Sequence, residues 1–234
     1  LRQVATDHGV LDVVRFGEEV LKMSYADHAW SLVTTSGDQG RFDVVIAATG
    51  VLHHPRLPDI DGLDTFEGDI FHSARWDHGV ELTGRRVGVI GTGSTAVQIT
   101  GAVIDDVARL SLFQRTPQWI MPVDNQPIAA EQRTAFREDP ERLRELREFL
   151  ERSFAENFAD AVVDADSEAL AKIEAICRTH LEMQVSDPEL RHRLTPDYRA
   201  ACKRLVVSGD FYDAIQRPNA VLVTDPIDRI EPGG

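Results

Sequence analysis

"RRVGVIGTGSTAVQITGAVIDDVARLSLFQRT", residues 85–116, decides the fold. "RRVGVIG" is a short apolar strand running into a glycine turn. "STAVQITGAVIDDVARL" carries helical periodicity through Ala96, Val97, Ile99, Ala102, Val103 and Val107, and "LSLFQR" is a second strand. Strand, helix and strand in so short a span make a β-α-β unit, and such units build parallel sheets. At its turn, Gly91-x-Gly93-x-x-Ala96 fits the dinucleotide pattern. The first glycine allows the tight turn, the second lets backbone N–H groups approach a pyrophosphate, and the small third residue lets the helix pack closely on the strand. The pattern alone is weak, but between a strand and a helix it is strong. Gly91, Thr92, Gly93, Ser94, Thr95 and Ala96, with Gln98 further along the helix, are therefore the candidate cofactor-binding residues.

The second strand indicates which nucleotide. An acid at its end would bind a ribose 2′-hydroxyl, whereas a base would accept a 2′-phosphate. Here the strand ends Gln114-Arg115-Thr116, with no carboxylate until Asp124. A guanidinium makes charge-assisted forked bonds to phosphate and a threonine hydroxyl can add another, so NADPH is favoured over NADH. The alternative for Arg115 is a solvated cation at a strand end.

Before this unit, "LDVVRFG", "VLKMSYAD", "WSLVTTSG" and "RFDVVIAATG" alternate between apolar and polar positions and are separated by "SGDQG"-type turns. They read as a small antiparallel meander ending in a buried strand at Asp43–Ala47. "LHHPRLPDIDGLD" follows as an ordered connector, with Pro55, Pro58 and Gly62 as punctuation and Ile60 as an apolar plug. After the unit, residues 127–199 turn helical. Asp139 before Pro140, and Ser186 or Asp187 before Pro188, are start signals, and the charged face of "ERLRELREFLERSF" reads as solvated. A helix near Phe211–Ile215 and a strand at Ala220–Thr224 then resume the sheet. The fold expected is α/β: a Rossmann-like domain with a parallel sheet, a helical insertion, and a small antiparallel part.

The 234 residues allow one large or two small cores, and 42% hydrophobic with 27% charged residues is ordinary for a globular chain. A net charge of −14, from 25 basic and 39 acidic residues, disfavours nucleic acid. No apolar run approaches the length of a membrane span, and no signal peptide opens the chain. Cys177 and Cys202 form neither a disulfide framework nor metal-ligand spacing, so no metal is expected. Both read as buried reduced thiols of a cytoplasmic protein.

"FEGDIFHSARWD", residues 66–77, has no clean helical or strand period. It matches F-x-G-x-x-x-H-x-x-x-W-(P/D), with Phe66, Gly68, His72, Trp76 and Asp77 in the fixed places. By this fingerprint the chain resembles the type I Baeyer–Villiger monooxygenases. "AATGVLHHPRLPDIDGL" is similar to the ATG linker of that family and of flavin-containing monooxygenases, "FQRTPQWIMP" to its second-strand motif, and "ACKRLVVSGDFYDAIQRPNAVLV" to its arginine-bearing segment.

The resemblance implies FAD and NADPH as cofactors, O₂ and a ketone as small-molecule substrates, and an ester or lactone as product. Negative charge develops beside the flavin during oxygenation, and a positioned cation there could lower the barrier by a few kcal/mol. Arg204 matches the family's catalytic arginine, and Lys203 the lysine that helps hold the NADP 2′-phosphate. Without the resemblance both would read as surface cations flanking a strand. For the fingerprint, a role in holding the hinge between flavin and nicotinamide domains is favoured. Direct catalysis by His72 and plain local packing are the alternatives.

The resemblance also implies a division of the chain. Residues 1–50 correspond to the end of the first FAD-domain segment, 51–83 to the fingerprint linker, and 84–126 to the first half of the NADPH domain. Residues 127–199 are the helical insertion, 200–225 complete the NADPH domain, and 226–234 turn back toward the FAD domain. With one glycine loop, a start at Leu1 and an end at "EPGG", the expectation is a middle piece that binds NADPH but is inactive alone. The rivals are an N- or S-oxygenating flavin monooxygenase, which Asp77 and the "CKR" segment disfavour, and a non-catalytic NADPH-binding module. A disulfide reductase is disfavoured because C-x-x-C is missing.

Overall fold

The computed structural model describes residues 1–50, 52 and 54–234; Val51 and His53 of the connector lie outside the described residues. Contacts divide the chain into two units, Leu1–Pro55 and Arg56–Gly234.

In the first unit a short helix α1 (Arg2–Asp7) and a 3₁₀ turn (Val10–Asp12) precede an antiparallel sheet of β1 (Val20–Ala26), β2 (Ala29–Thr34) and β3 (Gly37–Phe42), in that order. Asp27 and His28, at φ of 49° and 60°, make the two-residue turn between β1 and β2, where two positive φ values match the twist of the paired strands. Tyr25 opposite Trp30 sets the register, their ring centroids 5.3 Å apart.

The meander is therefore present, with three corrections. "LDVVRFG" forms the 3₁₀ turn rather than a strand, and β3 takes up residues read as a turn. Asp43–Ala47 is not a strand: Val44 and Ile46 are 73% and 85% exposed. An apolar run of this kind needs neighbouring strands and covered faces, and none of the three strands of this unit pairs with it.

In the second unit β4 (Arg86–Ile90), α2 (Ser94–Val103) and β5 (Arg109–Phe113) form the β-α-β unit. β8 (Ala220–Val223) joins β5 on its other side, giving a parallel sheet in the order β4-β5-β8. Leu110 and Leu112 of the central strand are fully buried, two positions apart and therefore on the same face of the sheet. Leu110 packs with Val103, Ile104, Val107 and Ala214, and Leu112 belongs to the cluster of Val97, Leu181, Phe211 and Leu222. On α2 the buried positions are Ala96, Val97, Thr100 and Val103, while Ala102 is exposed. Thr100 can take its place inside because its hydroxyl donates to the Ala96 carbonyl at 2.8 Å.

Beyond the central unit come β6 (Ile120–Met121), α3 (Ala130–Glu138), α4 (Pro140–Phe154), α5 (Asp160–Val163), α6 (Glu168–Gln184) and α7 (Pro188–Leu194), then β7 (Val206–Val207) and α8 (Phe211–Ile215). A turn of π-helix at Ala155–Ala159 joins α4 to α5. Asp139 and Asp187 cap α4 and α7 by accepting from the N–H groups of Glu141 and Glu189, each beside its proline; Ser167 caps α6. The parallel pairing of β6 with β7 was not readable, since two-residue strands carry no period.

The charged face of α4 is solvated and laced by Asp139–Arg142, Glu141–Arg144 and Arg147–Glu151 pairs. Its other face bears exposed Leu143, Leu146, Phe149, Leu150 and Phe154. The helix is thus not simply a solvated cover. Truncating Leu112 to alanine should cost about 2–5 kcal/mol of unfolding free energy, whereas Phe149→Ala should change it by less than about 0.5 kcal/mol; urea denaturation of the two variants measures both.

Candidate nucleotide-binding site

The glycine loop stands at the carboxyl end of β4, where open parallel sheets bind ligands. Gly91 has φ of 117°, a conformation L side chains rarely adopt, and its N–H bonds the Phe113 carbonyl at 3.0 Å. Gly93 begins α2 without a side-chain cap, so the N-cap supplies no acceptor for the first N–H groups of that helix. A Cβ built on Gly91 or Gly93 meets nothing within 4 Å. The loop is therefore a cradle left free of protein atoms at the positive end of a helix dipole, which fits a pyrophosphate. Ser94 is half-buried, Thr95 and Gln98 are exposed, and Ala96 is buried against the sheet.

Thr92 is buried, and its hydroxyl donates to the Thr116 carbonyl at 2.7 Å, tying the loop to the end of β5. That bond brings the two predicted halves of the site together. Arg115 is exposed and has no partner among the described residues, while Thr116 is half-buried. Lys203 and Arg204 enter from the far side of the insertion. Because β6 and β7 run parallel, the segments leading into them, 115–119 and 202–205, meet at the same end; Val206 N–H donates to the Trp119 carbonyl at 3.2 Å. Arg204 is exposed, and Lys203 Nζ lies 4.4 Å from the centre of the Tyr198 ring.

Two residues that sequence reasoning missed connect these parts. The Tyr198 hydroxyl is 3.1 Å from both the Pro117 carbonyl and Gln118 Oε1, and the Gln118 amide donates to the Thr92 hydroxyl at 3.3 Å. Burial pushes the Tyr198 phenol above its ordinary range, so it is a neutral donor near pH 7. Tyr198 stands five residues before Lys203, in a segment first read for its cations alone.

The fingerprint residues act on their own neighbourhood. The Phe66 ring covers Gly68 so closely that a Cβ would stand 2.5 Å from two of its atoms. His72 caps a 3₁₀ turn (Ser73–Arg75) by accepting the Ala74 N–H on Nδ1 at 3.0 Å, which leaves the neutral ring's proton on Nε2. Trp76 meets Phe71 edge to face at 5.0 Å, and Asp77 accepts from the Gly79 N–H at 2.8 Å. Asp69 anchors the stretch to Arg85, and Glu67 N–H bonds the Pro232 carbonyl at 2.9 Å. Gly62, at φ of 81°, lies against Ile230, so the fingerprint and its connector are held by the final residues of the chain.

One of the two cysteines differs from expectation. Cys177 is buried, but Cys202 is exposed, in the turn that follows left-handed Ala201. No group of three or more His, Cys, Asp or Glu among the described residues could hold a metal, and none of the described helices is long and apolar enough to cross a membrane.

A family model described as flavin-binding monooxygenase-like matches residues 1–130. The chain belongs to this family. An uncharacterized monooxygenase of Mycobacterium tuberculosis is 44% identical over 100% of the chain and 47% of its own length. A Baeyer–Villiger monooxygenase of Streptomyces coelicolor is 40% identical over 98% of the chain and 44% of its own length. Among solved structures, OTEMO in complex with FAD and NADP superposes with a TM-score of 0.82 at 28% identity, covering 99% of this chain and 51% of that one. Cyclohexanone monooxygenase from Rhodococcus sp. Phi1 bound to NADP⁺ gives 0.75 at 30%, covering 95% and 48%. The flavin-binding monooxygenase-like chain therefore spans about half the length of the curated relatives it matches.

Two predictions follow from the geometry. Gly93 has φ −69° and ψ 177°, open to any residue. Gly93→Ala should therefore cost less than about 1 kcal/mol of stability, yet weaken NADP⁺ binding more than about tenfold by filling the cradle; thermal melts and calorimetry read the two separately. Burial, reinforced by Glu174, pushes the Cys177 thiol from 9.0 up to about 12. The folded state keeps a proton there that the unfolded chain releases, so this contribution to stability is complete below pH 9.0 and declines toward pH 12. At pH 8 a thiol reagent should modify Cys202 in the folded protein, and Cys177 only after denaturation.

Proposed function

We propose that this chain is the NADPH-binding part of a Baeyer–Villiger monooxygenase that uses FAD and O₂ to convert a small ketone into an ester or lactone. The observation that carries the reading is an uncapped glycine loop bonded to Thr116 beside Arg115, and linked through Gln118 and Tyr198 to the segment that bears Lys203, in a chain that also holds the whole F-x-G-x-x-x-H-x-x-x-W-D fingerprint. The names of the Streptomyces coelicolor relative and of the cyclohexanone-bound cyclohexanone monooxygenase support it.

NADPH would supply the hydride and FAD the oxygen-activating chemistry. This chain's own contribution is to bind and orient. The N–H groups of Ser94, Thr95 and Ala96 would donate to the pyrophosphate oxygens, with Gln98 one turn on. Arg115, Thr116 and Lys203 would hold the 2′-phosphate, which only NADPH carries. Arg204, exposed and without an ion-pair partner among the described residues, would face the negative charge that develops on oxygenation. Phe66, Gly68, His72, Trp76 and Asp77 would keep the linker between cofactor domains in one conformation, each through the local contact described above. In this reading residues 1–50 belong with the FAD domain and 226–234 lead back to it. The two unpaired cysteines support a reducing, cytoplasmic setting.

The exposed apolar face of α4 favours a second reading, a nicotinamide-binding module that docks onto another surface. One experiment separates the two. The full-length protein should carry a flavin spectrum, consume NADPH far faster than NADH, and place one atom of ¹⁸O₂ in an ester made from a cyclic ketone. Arg115→Ala should raise the Kd for NADP⁺ more than about tenfold and leave NAD⁺ almost unchanged. Oxygen found only on nitrogen or sulfur substrates would mark the heteroatom-oxidising branch; nucleotide binding without flavin would mark the module.

A further inference from the structure

We propose that Tyr198 is a positioning residue for nucleotide selectivity: its ring seats Lys203, and its hydroxyl fixes that seat to the turn that follows Arg115 and Thr116. The inference rests on the reading of Lys203 as a 2′-phosphate ligand.

An exposed lysine is a point charge on a flexible stem and loses much conformational freedom when it grips an anion. Lys203 is already held. Its Nζ lies 4.4 Å from the centre of the Tyr198 ring, a cation over a π face, and no ion pair among the described residues includes it. In a chain with a net charge of −14, a lysine ordered by a neutral ring keeps its whole charge for an incoming phosphate.

The seat is itself fixed from three directions. Trp119 Nε1 donates to the Tyr198 carbonyl at 2.7 Å. Glu174 Oε1 accepts from Arg199 Nε at 2.6 Å and from the Ala200 N–H at 2.9 Å. The Tyr198 hydroxyl reaches the Pro117 carbonyl and Gln118 Oε1, both at 3.1 Å. Ala201, at φ of 64°, then reverses the backbone, so that Lys203 lies back over the ring. Gln118 continues the chain of contacts to the Thr92 hydroxyl, and Thr92 to Thr116. The end of β5, the glycine loop and the ring on which the lysine rests are thus parts of one hydrogen-bonded frame.

The test is calorimetric titration of the full-length protein with NADP⁺ and with NAD⁺, on Tyr198→Phe, Tyr198→Leu, Lys203→Ala and the double variant Tyr198→Phe/Lys203→Ala, each checked for folding by its melt. Tyr198→Phe keeps the ring and loses the tether; it should weaken NADP⁺ about threefold, and Tyr198→Leu, which loses the ring as well, about tenfold. NAD⁺ should stay within about twofold. In the Lys203→Ala background, Tyr198→Phe should add nothing, because the residue it positions is gone. Equal losses for both nucleotides, or an additive loss in the double variant, would make Tyr198 a purely structural residue and overturn the inference. If Lys203→Ala weakens NADP⁺ and the tyrosine variants do not, the inference fails and the lysine assignment stands. If Lys203→Ala changes nothing, both fail.

Discussion

The pairing of β5 between β4 and β8 is the constraint on which the rest of the structure depends. Leu110 and Leu112 share one face of that strand and are fully buried, and each belongs to a different hydrophobic cluster along it, so one strand anchors two clusters. A register shift by one residue would turn both away from the face that buries them and undo both clusters. The same pairing places the carboxyl ends of β4 and β5 side by side, where Thr92 can reach the Thr116 carbonyl. The glycine loop is shaped by Gly91 and held in place by a bond to the neighbouring strand's end.

Around this loop the electrostatics follow a simple rule. Eight ion pairs exist among the described residues, and none includes Arg115, Lys203 or Arg204. An acidic chain has carboxylates to spare, so leaving these three cations unpaired keeps positive charge on the two segments that Thr116 and Gln118 tie to the glycine loop. A phosphate arriving there would meet helix dipole and side-chain charge of the same sign.

The elements that could be read from the sequence are those whose signal is local. The β-α-β unit has its two periods and its glycines, and α4 and α7 announce themselves by Asp-Pro caps. What escaped depends on distant partners. Asp43–Ala47 has a strand's composition, but strand formation needs a neighbour to pair with. β6 and β7 are two residues each and exist through their mutual pairing, 86 positions apart in the register Ile120 to Val206. Thr100 looked polar and Ala102 apolar, yet the threonine is inside because it returns its own hydrogen bond. Within the candidate site, the glycine loop, Arg115 and Thr116 follow from motif and strand position. Tyr198 and Gln118 do not, because a tyrosine becomes a seat for a lysine only once β6 and β7 have brought the two segments together.

The helical region is not uniform, and the difference has a physical basis. α6 buries Leu170, Ile173, Cys177 and Leu181 and shares clusters with Trp119 on one side and Phe211 on the other, so it belongs to the core beneath the candidate site. α3 and α4 bury no residue at all. The stability of α4 comes from its Asp139 cap and surface ion pairs, each contributing tenths of a kcal/mol to about 1 kcal/mol. Its apolar side, Leu143 through Phe154, is unspent burial. Local opening should therefore begin at α3 and α4 and leave α6, Trp119 and the Tyr198 seat in place. The part of the helical region that packs against Trp119 and Phe211 is thereby separated from the part free to rearrange, and a change in what covers α4 need not disturb how Lys203 is held.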